Sequence, residues 1–372
     1  MQAVILAGGR GTRLHPVNTA VPKAMLPLFD RPVLEHMIGL LARHGIEDII
    51  VAVSHEAMEL PHYFGDGRRL GARIRYSVEA EPLGTAGALR SVQEMIGGAF
   101  LVVPGDAITD FDLSAALAAH SSTSAVATVL LHEADDPTAY SCVAVDEQNR
   151  IARYAHKPAS NAVFGNTIAT GICIFERDAL SSIPPFESRD ISLDLIPRLV
   201  HNGEPIYGCR APGYWCDSGH LLAYRGAHFD ALKGLLKLDL PATHLGDGIW
   251  LGDRVQVHPT VDIAGPVYLG TGVVVRRDVV LGQSTVIGED VLIEEGARIS
   301  RSIIGSRCHV GREAVVSDCV IGAGYVAPDG ENVTERTILA HMEYAVAQPE
   351  RALPKPTDSS PAEVAYELNS AA

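Results

Sequence analysis

The sequence predicts an α/β chain with a mixed, largely parallel sheet, followed by a parallel β-helix. The observations behind this are alternating strand-like and helix-like apolar runs in the first hundred residues, Gly-rich turns after two of those runs, and a six-residue aliphatic period beyond Leu251. Ala3 to Ala7, Ile49 to Val53, Ile74 to Val78 and Phe100 to Val103 read as strands, and Val33 to Leu41 and Thr85 to Ile96 as helices. Ligands sit at the carboxyl ends of strands in such sheets, which is where Gly8 to Arg13 and Gly105 to Asp106 fall. From about Ser124 to Trp215 the runs AVATVLL, SCVAVD, ATGICIFE and PIYGC extend the sheet, with a helical stretch around Leu193 to Val200. Helical spacing from Leu221 to Leu236, with Pro241 after it, places a boundary near 237–246 and a first domain over 1–240.

Beyond the boundary, Leu251, Val257, Ile263, Leu269, Val275, Leu281, Ile287, Ile293 and Ile299 recur every six residues, and the register then slips by one to Ile304, Val310 and Val316. Val255, Val261, Val267, Val273, Val279, Thr285, Val291 and Ala297 give a second inward position. Such a repeat buries its aliphatics only by stacking coil on coil, and a β-sandwich would show period two instead. Glycines such as Gly252, Gly270, Gly282 and Gly288 follow the aliphatic position, where a tight corner would want them. The repeat is expected over 246–328 and a loosely held, Pro/Ser/Ala-rich tail over 329–372.

Composition narrows the function. At 372 residues and 47% apolar content the chain can bury large cores, and a net charge of −15 excludes nucleic acid and anionic membrane as partners. The start lacks the pattern of a signal peptide and no run is long enough to span a bilayer, so a cytoplasmic location is expected. The six cysteines lack CxxC spacing and read as free thiols, and the fifteen histidines form no zinc motif.

The loop after the first strand carries Gly8, Gly9 and Gly11 with Arg10 and Arg13, and Lys23 follows. Backbone N–H groups and fixed cations make a triphosphate cradle. It is not a Walker loop, since no Gly-Lys-Ser/Thr follows, nor a dinucleotide GxGxxG, since Leu14 stands where a small residue is needed.

With Arg13, Pro22, Lys23 and Pro27 in place, LAGGRGTRLHPVNTAVPKAMLPLFDRP resembles the sugar-1-phosphate nucleotidyltransferases, the NDP-sugar pyrophosphorylases. EAEPLGTAGA at 79–88, VPGDAITD at 103–110, HKP at 156–158 and YWCDSG at 214–219 extend the resemblance over about the first 230 residues. It implies a Rossmann-like, GT-A-type sheet, a left-handed β-helix, and the joining of a nucleoside triphosphate to a sugar 1-phosphate with Mg²⁺ as cofactor. Leu6, Ala7, Gly8, Gly9, Gly11, Thr12 and Arg13 would meet the triphosphate, and Glu79, Pro82, Gly84 and Thr85 the base and ribose. Gly105, His156, Lys157, Ala169 and Gly171 would meet the sugar phosphate, while Asp106 and Asp217 would hold the metal. Arg13 and Lys23 would carry catalysis by neutralising phosphoryl charge. Each residue also has a plain reading: helix caps for the aspartates, surface charges for Arg13, Lys23, Lys157 and Glu79.

EPLGTAGAL with hexapeptide repeats looks most like the mannose-1-phosphate guanylyltransferases, and an acceptor-only carboxylate at Glu79 suits the adjacent donors of guanine. His156 replaces the family's usual Glu and Ala169 its usual Asn, which suggests a modified sugar or cyclitol phosphate besides mannose 1-phosphate. Other readings are a regulatory subunit that binds an NDP-sugar, a thymidylyl-, uridylyl- or adenylyltransferase for glucose 1-phosphate, and an acyltransferase using His258 or His309. The β-helix is expected to join a homo-oligomer, and truncation after about residue 240 to leave a folded domain.

Overall fold

The computed structural model describes residues 1–9, 22–219 and 221–338. Strand β1 (Gln2–Leu6) precedes a small hairpin, β2 (Pro27–Leu28) and β3 (Arg31–Pro32), and then α1 (Val33–Arg43), β4 (Asp48–Ser54), α2 (Glu59–Phe64), β5 (Arg73–Glu79), α3 (Gly84–Ser91) and β6 (Phe100–Pro104) follow. β1 pairs in parallel with both β4 and β6, and β4 with β5. Ala3, Val4 and Ile5 are fully buried, because helices and loops cover both faces; this is why the strand reads as an unbroken aliphatic run. In α1, Leu34, Met37, Ile38 and Leu41 recur at helical spacing and all enter the core.

The chain continues through β7 (Ala107–Thr109), α4 (Leu113–Ser121), β8 (Ala127–Glu133), β9 (Ser141–Val145), β10 (Ile151–His156), β11 (Thr167–Phe175), α5 (Ile196–His201), β12 (Ile206–Arg210), β13 (Trp215–Asp217) and α6 (Leu221–Leu232). The main sheet runs β10-β9-β11-β6-β1-β4-β5, with β8 also on β11 and β12 on β8. β11 makes the sheet fork. Its first half pairs with β9, its second half with β6, and a bulge between Ala169 and Cys173 separates them. Gly171 sits in that bulge at φ +83°, where a Cβ would come within 3.0 Å of Pro104 at the end of β6.

Short strands from Thr243–Gly246 to Thr337–Ile338 then stack in sheets of seven, five and five, all pairings parallel except the first. This is the β-helix, and the inward residues Leu269, Val275, Leu281, Ile287, Ile293, Ile299, Ile304, Val310 and Val316 are at most 2% exposed. The slip in the repeat is a shorter coil: Tyr268 pairs with Val286, but Val286 pairs with Ile303. Two expectations need correction. Gly270 and Gly288 do not adopt positive φ; a Cβ on either would lie 2.8 Å from the next coil's backbone, so glycine is needed for close stacking and not for a corner. The repeat also does not end at residue 328, since Asn332–Thr334 and Thr337–Ile338 pair onto the stack and Val333 is fully buried. Its polar neighbours Asn332, Thr334, Glu335 and Arg336 mask the aliphatic period there. The expected tail lies outside the described residues from 339 on.

The β-helix and the α/β portion belong to one compact unit, Met1–Met342. An outward row of the stack, Tyr268, Val286, Ile303 and Val320, is covered by Leu26, Leu28 and Phe29 and by Tyr224, Ala227, Ala231 and Leu232 of α6. Within this seam the buried His228 accepts from the Phe29 N–H at Nε2 (3.1 Å) and donates from Nδ1 to the Tyr224 carbonyl (3.0 Å). Both contacts use the neutral ring, and burial pushes its pKa down to about 4. Arg225 of α6 ties the seam's edge to Asp318 at 2.8 Å.

Candidate active site

The four parallel strands end at one edge: Leu6 is in register with Ala52 and Pro104, and Ser54 with Glu79. Gly8, Glu79 and Gly105 therefore gather where a doubly wound sheet takes its ligand. A Cβ on Gly8 would lie 3.4 Å from the Ser54 nitrogen and 3.6 Å from Glu79 Oε2, whereas one on Gly9 would meet nothing within 4 Å. Gly105 packs against the end of β1, donating its N–H to the Leu6 carbonyl at 2.9 Å. Ala7 is held by a hydrogen bond to the Ala52 carbonyl. Gly11, Thr12 and Arg13 lie outside the described residues.

Glu79 is half-buried beside Gly8, and among the described residues its buried Oε1 has no hydrogen-bond partner. Burial raises its pKa, opposed by the hydrogen bond from the Leu83 backbone. An acceptor left this way costs free energy unless something donates to it. The segment after it is zipped to a second loop: Ala86 and Gly87 donate to the Arg189 carbonyl at 2.9 and 3.2 Å, and a Cβ on Gly84 (φ +69°) would strike that carbonyl at 2.5 Å. The Thr85 hydroxyl donates to Asp190 and accepts from the Ile191 N–H, both at 2.8 Å. Thr85 thus latches the segment, while Pro82 is exposed.

Lys23 lies in a 3₁₀ turn and its Nζ is 3.3 Å from Asp106 Oδ2. Asp106 closes the turn from β6 into β7, and β7 pairs antiparallel with β13 so that Asp217 is opposite Ala107. Both aspartates are thereby brought to one end of a two-stranded ribbon. Sequence reasoning missed the residues that fix this ribbon. The buried Ser218 hydroxyl donates to the Asp106 carbonyl at 2.6 Å, and at the far end Asp110 accepts from the Tyr214 N–H at 2.6 Å. The Gly219 N–H donates to Asp217 Oδ1 at 2.9 Å, and a Cβ on Gly219 would approach that oxygen to 2.8 Å. Ser-Gly directly after the aspartate was the available signal.

On the other arm of the fork, Ser141 pairs with His156 on one side and Ala169 on the other. His156 Nδ1 is 3.0 Å from the Ser141 hydroxyl. Burial, then the charge of Lys157, lowers the His156 pKa, while Asp190 opposes them. Lys157 itself is exposed, at φ +41°, with its N–H on the Tyr140 carbonyl at 2.9 Å. Ser141 carries no motif in the sequence; only the strand register reveals it.

Among the described residues no helix is long and apolar enough to cross a membrane, and no group of three or more His, Cys, Asp or Glu comes together. Two aspartates suit a hard cation that keeps waters and takes its remaining oxygens from phosphates.

Comparison with known proteins agrees with this arrangement. The family profile described as Nucleotidyl transferase matches residues 2–234, and one described as GMPPB C-terminal domain matches 263–348. The UTP–glucose-1-phosphate uridylyltransferase of Synechocystis is 34% identical over 290 residues, covering 73% of this chain and 74% of that protein. The mannose-1-phosphate guanylyltransferase of Mycobacterium tuberculosis is 32% identical over 274 residues, covering 73% and 76%. A solved Bacillus anthracis structure, named for glucose-1-phosphate thymidylyl transfer, shares the fold at a TM-score of 0.56 and 24% identity, covering 61% of this chain and 94% of that one. A half-buried carboxylate beside Gly8, two aspartates joined by a ribbon, and a profile match across the whole α/β portion lead to one conclusion: the chain belongs to the nucleotidyl transferase family, as a sugar-1-phosphate nucleotidyltransferase.

Proposed function

We infer that the chain transfers a guanylyl group from GTP to a sugar 1-phosphate, mannose 1-phosphate or a modified sugar or cyclitol phosphate, with release of pyrophosphate. The observation that carries the choice of base is Glu79 beside Gly8, whose buried Oε1 has no partner among the described residues. Guanine offers two adjacent donors, N1–H and N2–H₂, to an acceptor-only carboxylate, whereas uracil and thymine offer one N–H flanked by acceptors. The Synechocystis relative supports uridylyl transfer as a second reading.

The nucleophile is a phosphate oxygen that is already anionic, so no general base is needed and catalysis is positioning with charge neutralisation. Lys23, and Arg13 of the same sequence motif, are assigned to the α-phosphoryl group and the departing pyrophosphate. Lys157 is assigned to the sugar phosphate, with His156 and Ala169 beside the sugar. Asp106 and Asp217 are assigned to Mg²⁺, which when bound neutralises triphosphate charge. The Lys23–Asp106 pair then reads as two substrate-facing charges satisfying each other until phosphate and metal arrive. A cytoplasmic location and a homo-oligomer joined through the β-helix complete the proposal.

A matrix of nucleoside triphosphates against sugar 1-phosphates, read by pyrophosphate release, tests it. GTP is expected to give the highest kcat/KM with every accepted sugar. Highest turnover with UTP and glucose 1-phosphate would overturn the base and sugar assignments together.

A further inference from the structure

His156, Ser141 and Ala169 form one row across three neighbouring strands and so share a face of the sheet. Ser141 is only 5% exposed, and its hydroxyl is hydrogen-bonded to His156 Nδ1 at 3.0 Å. The buried Tyr154 hydroxyl faces the Ser141 and Ser192 hydroxyls. A buried hydroxyl proton without an acceptor is costly, and both hydroxyls are satisfied when Tyr154 donates to the Ser141 oxygen and Ser141 donates to Nδ1. Nδ1 is then an acceptor, and a neutral imidazole carries its proton on Nε2. Among the described residues no protein group takes Nε2. Ala169, at the other end of the row, offers only a methyl group.

We propose that Ser141 is a positioning residue that fixes His156 as an Nε2–H donor, and that the favoured sugar 1-phosphate presents an acceptor-only oxygen to it, from an acylamino carbonyl or a carboxylate. This rests on His156 and Lys157 lying on the sugar side of the site. A hydroxyl can donate or accept and is satisfied by many partners, whereas a carbonyl or carboxylate oxygen only accepts and matches a fixed donor.

The test uses the full chain. Long-range ¹H–¹⁵N NMR on histidine-labelled protein, with the His156 signals assigned by their loss in His156→Gln, should show the Nε2–H tautomer in the unmodified protein and in Ser141→Thr, and a mixture in Ser141→Ala. An Nδ1–H tautomer in the unmodified protein overturns the proposal whatever the substrate. Kinetics with an N-acetylhexosamine 1-phosphate, a hexuronic acid 1-phosphate and a plain hexose 1-phosphate should show higher kcat/KM for one of the first two, and which one wins identifies the acceptor. Ser141→Ala should raise the KM of that substrate about 5-fold, the size of one hydrogen bond, leave the triphosphate KM unchanged, and be rescued by Ser141→Thr. Equal rises in both KM values mark a merely structural role and overturn the positioning. Preference for the plain hexose at normal turnover overturns the substrate class alone; no turnover of any sugar 1-phosphate overturns the sugar-side reading beneath it.

Discussion

Replacing Glu79 with glutamine keeps the side chain's shape and exchanges one of its acceptor oxygens for a donor. Facing guanine, the amide would keep one hydrogen bond and set a donor against a donor. Losing a hydrogen bond to a charged group, with a buried donor left unpaired, costs about 2–4 kcal/mol. That corresponds to a fall of about 30- to 1000-fold in kcat/KM for GTP. The same amide matches the N3–H and O4 edge of uracil, so the fall with UTP should be small and preference should move toward UTP. Steady-state pyrophosphate release with both nucleotides reads the ratio. Stability should move the opposite way. The folded pKa of Glu79 is raised by burial, so the carboxyl contributes stability at pH below its ordinary value of 4.5 and loses it as pH rises. Glu79→Gln should therefore melt no lower than the unmodified protein at pH 7.5, with any gain fading toward pH 4. An unchanged GTP-to-UTP ratio, or a melting temperature lower by many degrees, would refute the reasoning.

Asp217→Ala should reduce turnover at least about 100-fold while far-UV circular dichroism is unchanged, and chelation with EDTA should abolish turnover of the unmodified enzyme; near-normal rates in EDTA contradict the metal assignment. Truncation after residue 240 should give aggregated protein on size-exclusion chromatography, contrary to the sequence-based expectation of a folded domain. It strips Tyr268, Val286, Ile303 and Val320 from α6 and the hairpin, about 1.5–3 kcal/mol each, a sum comparable to a whole domain's stability. A soluble, cooperatively melting fragment would refute this. Asp30, on the hairpin, accepts from the Tyr268 hydroxyl at 2.8 Å, and burial, partly offset by that bond, raises its pKa from 3.8 to about 6. A raised carboxyl pKa gives stability that is present below 3.8 and lost as pH rises through about 6. Asp30→Asn should therefore melt increasingly above the unmodified protein between pH 4 and pH 7, and parallel melting curves over that range would exclude the effect.

What the sequence showed and what it hid follow from how local each signal is. The six-residue period was legible because every inward aliphatic is a separate local vote, and β1 because a strand buried on both faces has no polar alternation to confuse it. The seam was not. Tyr268, Val286, Ile303 and Val320 sit beside inward residues, and only α6 and the hairpin, distant in sequence, explain why an outward row is apolar. Asp106 and Asp217 could be named from their motifs, but Ser218 and Asp110 act through backbone groups of other segments. Ser141 was invisible for a similar reason: its partner lies fifteen residues away across a strand pair, set by register alone.

The seam also fixes how many coils this protein needs. Tyr268, Val286, Ile303 and Val320 step by one coil each, about 14 Å in all at ~4.8 Å between strands, and the twelve residues of α6 make a helix about 18 Å long. Thr337, next in the row, breaks its apolar character. The apolar row, and not the whole array, is thus close in length to the helix it floors. Coils added after Val320 would lengthen the stack without touching the catalytic half. A coil deleted between Tyr268 and Val320 would bare part of α6 and carry Asp318 out of reach of Arg225. Gain and loss of repeats are therefore not symmetric events in the evolution of such a chain, and variation in coil number among its relatives should accumulate at the C-terminal end.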